Sequence, residues 1–158
     1  MKKNYFWIDL LKSLAAFAVI ILHVSVPIVY RFEEKEIWWA GNFYNSLVRF
    51  SVPIFVMISG VLSVNVVVAS VGIFIAFKDV IIKNEKIIKG ISFISKYSYG
   101  IYLSHIFVLI MFAKIGFSYD YFNYWISIPV IAISCFALSL LLTFLISKIP
   151  LVGKYISG

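Results

Sequence analysis

The sequence has few charged residues. Asp, Glu, Lys and Arg make up 13% of its 158 residues, whereas hydrophobic residues make up 63%. A typical soluble domain carries about 25% charged residues, and a soluble chain of this length could not hide so much apolar surface from water. Lipid must therefore be its main solvent. The predicted fold class is all-α, a polytopic transmembrane helical bundle that forms one domain over residues 1–158.

The sequence also lacks the marks of several other classes of protein. Its single cysteine, Cys135, excludes an internal disulfide and is expected to be a lipid-facing or packing residue. It has no metal-ligand cluster, no glycine-rich phosphate loop and no nucleophile elbow. The net charge of +7 comes from lysines beside apolar runs. That pattern favours membrane topology over a nucleic-acid partner, and we expect neither a metal nor a bound cofactor.

Four segments are apolar and long enough to cross a bilayer, which takes about 20 residues. They extend from about Trp7 to Tyr30, from Phe50 to Phe77, from about Tyr97 to Ala113 and from about Trp125 to Ser147. As a single helix of about 42 Å, the second would exceed the roughly 30 Å apolar slab unless it tilts or kinks. Two short helices would fit it poorly, so we predict about four spans.

Basic residues are distributed unevenly between the two sides of these segments. Ten lie on one side, namely Lys2, Lys3, Lys12, Lys78, Lys83, Lys86, Lys89, Lys96, Lys148 and Lys154. Four lie on the other, namely Arg31, Lys35, Arg49 and Lys114. The positive-inside rule therefore predicts that both termini are cytoplasmic. The predicted outer loops are rich in aromatic residues, among them Trp38, Trp39, Phe43 and Tyr44.

His23 is the strongest candidate for a catalytic residue. An ionisable group at membrane depth is costly and is a functional candidate by default, and a neutral imidazole can act as general base toward a hydroxyl. The alternative is a packing histidine that bonds to another helix. Lys12 lies eleven residues earlier, on the same helical face and about 16 Å away. It would either meet a phosphate of a substrate or snorkel as a topology lysine.

Three further polar features lie in the apolar segments. Tyr102 and His105 share a helical face at i, i+3, which either a polar site or an interhelical hydrogen bond would explain. Arg49 opens the second segment on the outer side, where an arginine can also serve as an interfacial anchor. Ser59 and Ser63 form a small-xxx-small pair that suits close helix packing.

Several of these residues occur in stretches that resemble the acyltransferase family 3 membrane proteins, the bacterial O-acyltransferases of surface sugars. The segment from Trp7 to His23 resembles the family's first span, in which an Arg or Lys is followed by ten residues and then a His. Three later stretches resemble the family's second-span motif, late motif and closing stretch, in family order: Arg49-Phe-Ser-Val-Pro-Ile-Phe-Val-Met-Ile-Ser-Gly60, Ser98-Tyr-Gly-Ile-Tyr-Leu-Ser-His105 and Ile149-Pro-Leu-Val.

The resemblance covers nearly the whole chain but not the whole family. Members usually have about ten spans of roughly 20 residues each and about twice this length. Residues 1–63 resemble the family's N-terminal spans, and residues 64–158 resemble its C-terminal spans. The join falls near Ser63 to Val67. We therefore expect an internally shortened member that lacks the middle spans, with its second segment a hybrid of an early and a later span.

The resemblance implies transfer of an acyl group, commonly acetyl, from acetyl-CoA or another acyl-CoA to a hydroxyl of a cell-envelope glycan or lipid-linked sugar. It implies His23 as the proton acceptor and Lys12 as the partner toward the acyl donor. The residues implied to shape the substrate or donor site are Arg49, Ser59, Tyr102 and His105. The implied location is the bacterial cytoplasmic membrane, with the bilayer as a partner and a homo-oligomer as one way to rebuild activity.

Two alternatives to an active acyltransferase stay open. The chain could be an inactive remnant made by internal deletion, because the missing spans would have walled the chamber for donor and acceptor. It could also be a small helical scaffold or transporter subunit. A transporter usually shows broken helices and polar residues on several spans, whereas the fourth segment has only Ser134, Cys135, Ser139 and Thr143 at mid-depth.

Overall fold

The computed structural model describes residues 6–31, 33–49, 71–73, 75–80, 82–117 and 123–149. Within these residues the fold is all-helical, with four principal helices: α1, Phe6–Val29; α2, Lys35–Val48; α3, Glu85–Lys114; and α4, Tyr124–Ser147. Helices α1, α3 and α4 are long and apolar enough to cross a membrane. The predicted all-α membrane fold is confirmed, and the described part of the chain supplies three candidate spans.

The predicted first and fourth segments coincide with α1 and α4 to within about a residue at each end. The third is longer than its apolar run suggests, since α3 begins at Glu85 rather than near Tyr97. Asn84 caps the start, where its side chain accepts hydrogen bonds from the backbone N–H groups of Lys86 and Ile87 at 3.0 and 3.4 Å. Lysines that the sequence assigns to a loop therefore lie in the first turns of α3.

Most of the predicted second segment, residues 50–77, lies outside the described residues, as do Ser59 and the predicted join. The described residues 71–73 and 75–77 are helical. Ile73 and Phe77 pack against Leu11 and Ala15 of α1. The span count and the hybrid nature of this segment therefore stay predictions.

Helix α2 corrects the prediction of an aromatic outer loop. A stripe of inward-facing positions at helical spacing packs it against the other helices: Ile37, Ala40, Gly41, Tyr44, Asn45 and Val48. Gly41 permits the closest approach, because an added Cβ would lie 2.7 Å from Cγ2 of Ile28 on α1. The stripe mixes apolar, small and polar residues, so it does not stand out as an apolar run.

The contacts between helices define the direction of each. Asp9 near the start of α1 contacts Ser95 in the first half of α3, and His23, further along α1, lies beside His105, further along α3, so α1 and α3 run parallel. Arg31, just after α1, donates to the hydroxyl of Tyr124 at the start of α4 at 3.1 Å, so α4 runs back. We call the two ends of the bundle the Asp9 end and the Arg31 end. Helix α1 begins and α4 ends at the Asp9 end, and its cytoplasmic location stays a prediction.

A cluster of hydroxyls around Asp9 ties α1 to α3 at the Asp9 end. The hydroxyls of Ser95 and Ser92 donate to the two carboxylate oxygens of Asp9, at 2.8 and 3.4 Å. Ser13 on α1 donates to the carbonyl of Asp9 at 2.9 Å and lies 3.2 Å from the carbonyl of Ile91 on α3. We call these residues the Asp9 tie. Each of these bonds satisfies a polar group that would be costly in lipid.

Helix α3 stops near the Arg31 end in a Schellman motif. Gly116 takes a positive φ of 78°, and its N–H donates to the carbonyl of Ala113 at 3.2 Å. The N–H of Phe117 donates to the carbonyl of Phe112 at 2.9 Å. The rings of Phe112 and Phe117 then meet edge to face at 5.0 Å, which is the apolar contact that accompanies this cap.

A proline on α4 explains how α2 attaches to it. Pro129 has no N–H to donate to the carbonyl of Trp125, one turn earlier in α4. The hydroxyl of Tyr44 on α2 donates to that carbonyl instead, at 2.8 Å. A side chain of one helix thus replaces a backbone donor that the other lacks.

Candidate functional site

His23 faces a small cavity on the Arg31 side of the bundle centre. The cavity has a volume of about 310 Å³, at the lower end of the range for ligand sites. Its described lining is apolar apart from His23, and consists of Val24, Pro27, Leu109, Phe112, Ala113, Phe117 and Ile131. The sequence predicts His23 at membrane depth, and in the structure its side chain is exposed at this cavity. A small molecule in the cavity can therefore reach the imidazole.

Two backbone features shape this cavity. Pro27, which lines it, has no N–H for the carbonyl of His23 one turn earlier in α1. The Schellman motif brings Phe112 and Phe117 together, and both line the cavity. The lining therefore includes residues at a proline of α1 and at the glycine turn after α3.

His105 lies behind His23, inside the helix packing. It is 2% exposed, and its ring centroid is 5.1 Å from that of His23, with the planes tilted by 43°. Its Nδ1 is hydrogen-bonded to the backbone carbonyl of Tyr102. Its Nε2 is buried and has no hydrogen-bond partner in the described part of the chain. The sequence predicts both histidines as site residues, and the fold brings them together.

Arg49 lies deeper than the outer position that the sequence suggests. Its Nε donates to Oδ1 of Asn45 at 3.2 Å, and Nδ2 of Asn45 lies 3.5 Å from the hydroxyl of Ser25 on α1. Since α2 runs antiparallel to α1, Arg49 lies about one turn, roughly 6 Å, closer to the Asp9 end than Ser25. Arg49 therefore lies at a depth close to that of His23, because α2 begins at Lys35 and runs back into the bundle before the chain reaches Arg49.

The remaining predicted site residues are spread along the bundle. Lys12 is half-buried on α1 near the Asp9 tie, about 16 Å from His23 by helical rise. Tyr102 is 38% exposed, with its ring centroid 5.7 Å from that of His105. Ser59 lies outside the described residues. The structure therefore groups His23, His105 and Tyr102, and places Lys12 apart from them.

Two residues that contribute to the site are not among those predicted from the sequence. Asn45 holds Arg49 at i, i+4, a spacing that is readable once the segment is known to be helical. Pro27 follows His23 at the same spacing, and its lack of an N–H is visible in the sequence itself. Cys135 is buried, as the packing alternative predicts, with its thiol 3.6 Å from the carbonyl of His105.

Comparison with known protein families identifies the family of the chain. The family model of acyltransferase family 3, described as an acyltransferase domain, matches the chain in two parts, residues 5–65 and 62–147. The chain belongs to acyltransferase family 3. This confirms the resemblance that the motifs indicate. No curated protein and no solved structure matches the chain. As a family 3 protein it has a membrane acyltransferase-like role, and its four principal helices lie within the two matches.

The geometry limits what this family 3 site can do chemically. An exposed imidazole on an apolar wall can take a proton from a hydroxyl that enters the cavity. A guanidinium at similar depth can stabilise an oxyanion. Within the described residues no group of three metal-ligating side chains converges.

Proposed function

We propose that this family 3 protein is an O-acyltransferase of the bacterial cytoplasmic membrane. It moves an acyl group, acetyl in the simplest case, from acyl-CoA to a hydroxyl of a cell-envelope glycan or lipid-linked sugar. The observation that carries the proposal is the exposed imidazole of His23 on the wall of an apolar cavity, backed by a second imidazole. Membership of the family supports acyl transfer as the reaction class.

The arrangement along α1 supports separate approaches for donor and acceptor. Lys12 lies toward the Asp9 end, the predicted cytoplasmic side, where its ammonium can meet the phosphates of CoA. The cavity lies on the other side of His23, toward the Arg31 end. The distance of about 16 Å between Lys12 and His23 is comparable to an extended pantetheine arm. The thioester would thus reach the imidazole from one side and the sugar hydroxyl from the other.

The proposed reaction is general-base acyl transfer. The proton of the acceptor hydroxyl moves to the unprotonated nitrogen of His23 while the hydroxyl oxygen bonds to the thioester carbonyl carbon. Arg49, held by Asn45, is proposed to stabilise the oxyanion of the tetrahedral intermediate. The carbon–sulfur bond then breaks, and the leaving CoA sulfur takes the proton from the imidazolium. The products are an O-acyl ester and the free thiol of CoA.

An inactive remnant of such an enzyme is the second candidate. One observation favours it: the family model matches in two parts that meet at residues 62–65. A chain that joins an early and a late part of the family near 63–67 would lack the helices between them. Walls formed by those helices would then be missing, unless a second copy of the chain supplied them.

Mass spectrometry of envelope glycans from cells with and without the gene tests the proposal. We expect an acylated glycan with the intact chain, none with His23→Ala, and reduced use of the acyl donor with Lys12→Ala. Membrane insertion, measured by immunoblot of the membrane fraction, should be equal for all three chains. Acylation that persists in His23→Ala would refute the role of His23. A correctly inserted intact chain with no acylated product would favour the remnant.

A further inference from the structure

The imidazole of His105 carries a ring nitrogen without a hydrogen-bond partner among the described residues, which points to a role behind His23. We propose that His105 is a positioning residue: its Nε2 accepts a hydrogen bond from a ring N–H of His23. That bond fixes the tautomer of His23, so that its other ring nitrogen faces the cavity without a proton. The catalytic consequence rests on the proposed function, whereas the hydrogen bond itself does not.

The tautomer of His105 follows from its backbone partner. A carbonyl oxygen can only accept, so the bond from His105 to the carbonyl of Tyr102 requires the proton on Nδ1. In the neutral ring Nε2 is then an acceptor. This atom is buried and without a partner among the described residues. An unsatisfied buried acceptor is costly, so a donor close to it has a strong tendency to turn toward it.

The distance between the rings fits such a bond. With a hydrogen bond of about 2.9 Å and ring nitrogens roughly 1.1 Å from each centre, two end-on imidazoles have centroids about 5.1 Å apart. The measured separation of His23 and His105 is 5.1 Å, at a tilt of 43°. A turn of the exposed His23 ring makes the bond without moving either helix. The backbone carbonyl of Tyr102 stays bonded to Nδ1 of His105 while the His23 ring turns. The ring centroid of Tyr102 lies 5.7 Å from that of His105.

Burial separates the roles of the two histidines. His105 is 2% exposed and is not among the described residues that line the cavity, so an acceptor hydroxyl cannot reach it. His23 is exposed and does line the cavity. The arrangement of nucleophile, base and orienting group in hydrolytic enzymes follows the same logic, in which the third group acts only through the base.

The chain is well suited to a direct test, because His23 and His105 are its only histidines. We would label histidine with ¹⁵N and record spectra of the protein in lipid nanodiscs above pH 7. The expected result is one ring protonated at Nδ1, and a second ring whose N–H shows scalar coupling across a hydrogen bond to the first. Either of two results would overturn the proposal, and both can be seen in the wild-type protein without any variant. One is the absence of that coupling between the two histidines, and the other is exchange of His23 between both tautomers.

Variants separate positioning from packing. His105→Leu removes the acceptor and should release His23 into tautomer exchange, whereas His105→Gln keeps an acceptor oxygen and should retain one His23 tautomer. Tyr99→Phe is the matched control, since Tyr99 is 54% exposed on the same helix and its replacement should leave both rings unchanged. Identical His23 spectra in the wild-type, Leu and Gln chains would refute the proposal.

Activity distinguishes this inference from the proposed function. If the chain transfers acyl groups, His105→Leu should lower kcat by about tenfold to a hundredfold, as with other groups that orient a working histidine, with KM little changed and partial recovery in His105→Gln. A change in KM alone, with kcat unchanged, would contradict a positioning role for His105. If no transfer occurs but the coupling is present, the inference stands and the proposed function fails.

Discussion

The Asp9 tie and the histidine pair both join α1 to α3 through polar groups, yet their hydrogen bonding differs. In the tie, both carboxylate oxygens of Asp9 accept serine hydroxyls, and Ser13 finds backbone acceptors. In the pair, Nε2 of His105 has no described partner, and His23 faces a cavity. Polar groups buried in helices cost least when fully bonded. The tie therefore has the features of a structural contact, and the pair has those of a site kept available for chemistry.

The largest effect should come from replacing the exposed member of the pair. His23→Gln should lower acyl transfer by about 10²–10⁴-fold, because a glutamine cannot accept the proton. Its free energy of unfolding should change by less than about 0.5 kcal/mol, since His23 is exposed. Glycan mass spectrometry and unfolding of the purified protein in mixed detergent measure the two quantities. A large loss of stability would remove the contrast with the tie.

The tie should behave in the opposite way. Asp9→Ala removes the acceptors of Ser92 and Ser95 and should lower the free energy of unfolding by about 2 kcal/mol. Acyl transfer should fall only with the amount of folded protein. Asp79→Ala is the matched control, because Asp79 is exposed and its ion pair with Lys78 is long, at 3.9 Å. It should change the free energy of unfolding by less than about 0.5 kcal/mol. Equal effects of the two substitutions would disprove the structural role of the tie.

A third attachment of α1, to α2, combines close packing with the hydrogen bond between Asn45 and Ser25. Gly41→Ala should destabilise the protein by about 1–2 kcal/mol, because the new methyl group meets Ile28 at 2.7 Å. Gly90→Ala in α3 is the matched control. It has nothing within 4 Å and should stabilise by about 0.5–1 kcal/mol through helix propensity. Thermal unfolding of both variants gives the comparison, and a neutral Gly41→Ala would mean that α2 can move away from α1.

The smallest effect should come from the bond between α2 and α4. Tyr44→Phe removes the donor to the carbonyl of Trp125 and should cost about 0.5–1 kcal/mol. In a Pro129→Ala background the helix regains its own N–H donor, so the same substitution should cost less. A double-mutant cycle on unfolding free energies measures the difference. Additive effects would show that the tyrosine does not replace the missing amide.

The sequence predicts the helices in proportion to how apolar they are. Helices α1 and α4 are the most apolar of the four and are predicted almost to the residue. Helix α2 is missed because Gly41 and Asn45 occupy its buried stripe, so close packing and a hydrogen bond replace apolar bulk. The start of α3 is missed because Asn84 and the lysines after it resemble a loop, although Asn84 caps the helix.

The candidate site is predicted in its parts but not in its arrangement. His23 and His105 both attract attention as ionisable groups in apolar segments. Nothing in one sequence places them 5.1 Å apart, because that distance depends on how α1 and α3 pack. Arg49 shows the same limit, since its depth follows from the antiparallel return of α2 after residue 34. Residue types indicate chemistry, whereas helix packing decides which residues act together.

The parallel direction of α1 and α3 restricts how many times the chain can cross the bundle between them. Because both helices run from the Asp9 end to the Arg31 end, the connection between them must cross the bundle an odd number of times. Helices inserted into or removed from that connection must therefore come in pairs. An unpaired change would invert α3 and carry Ser95 and His105 away from Asp9 and His23. Both links between α1 and α3 would then be lost in a single step.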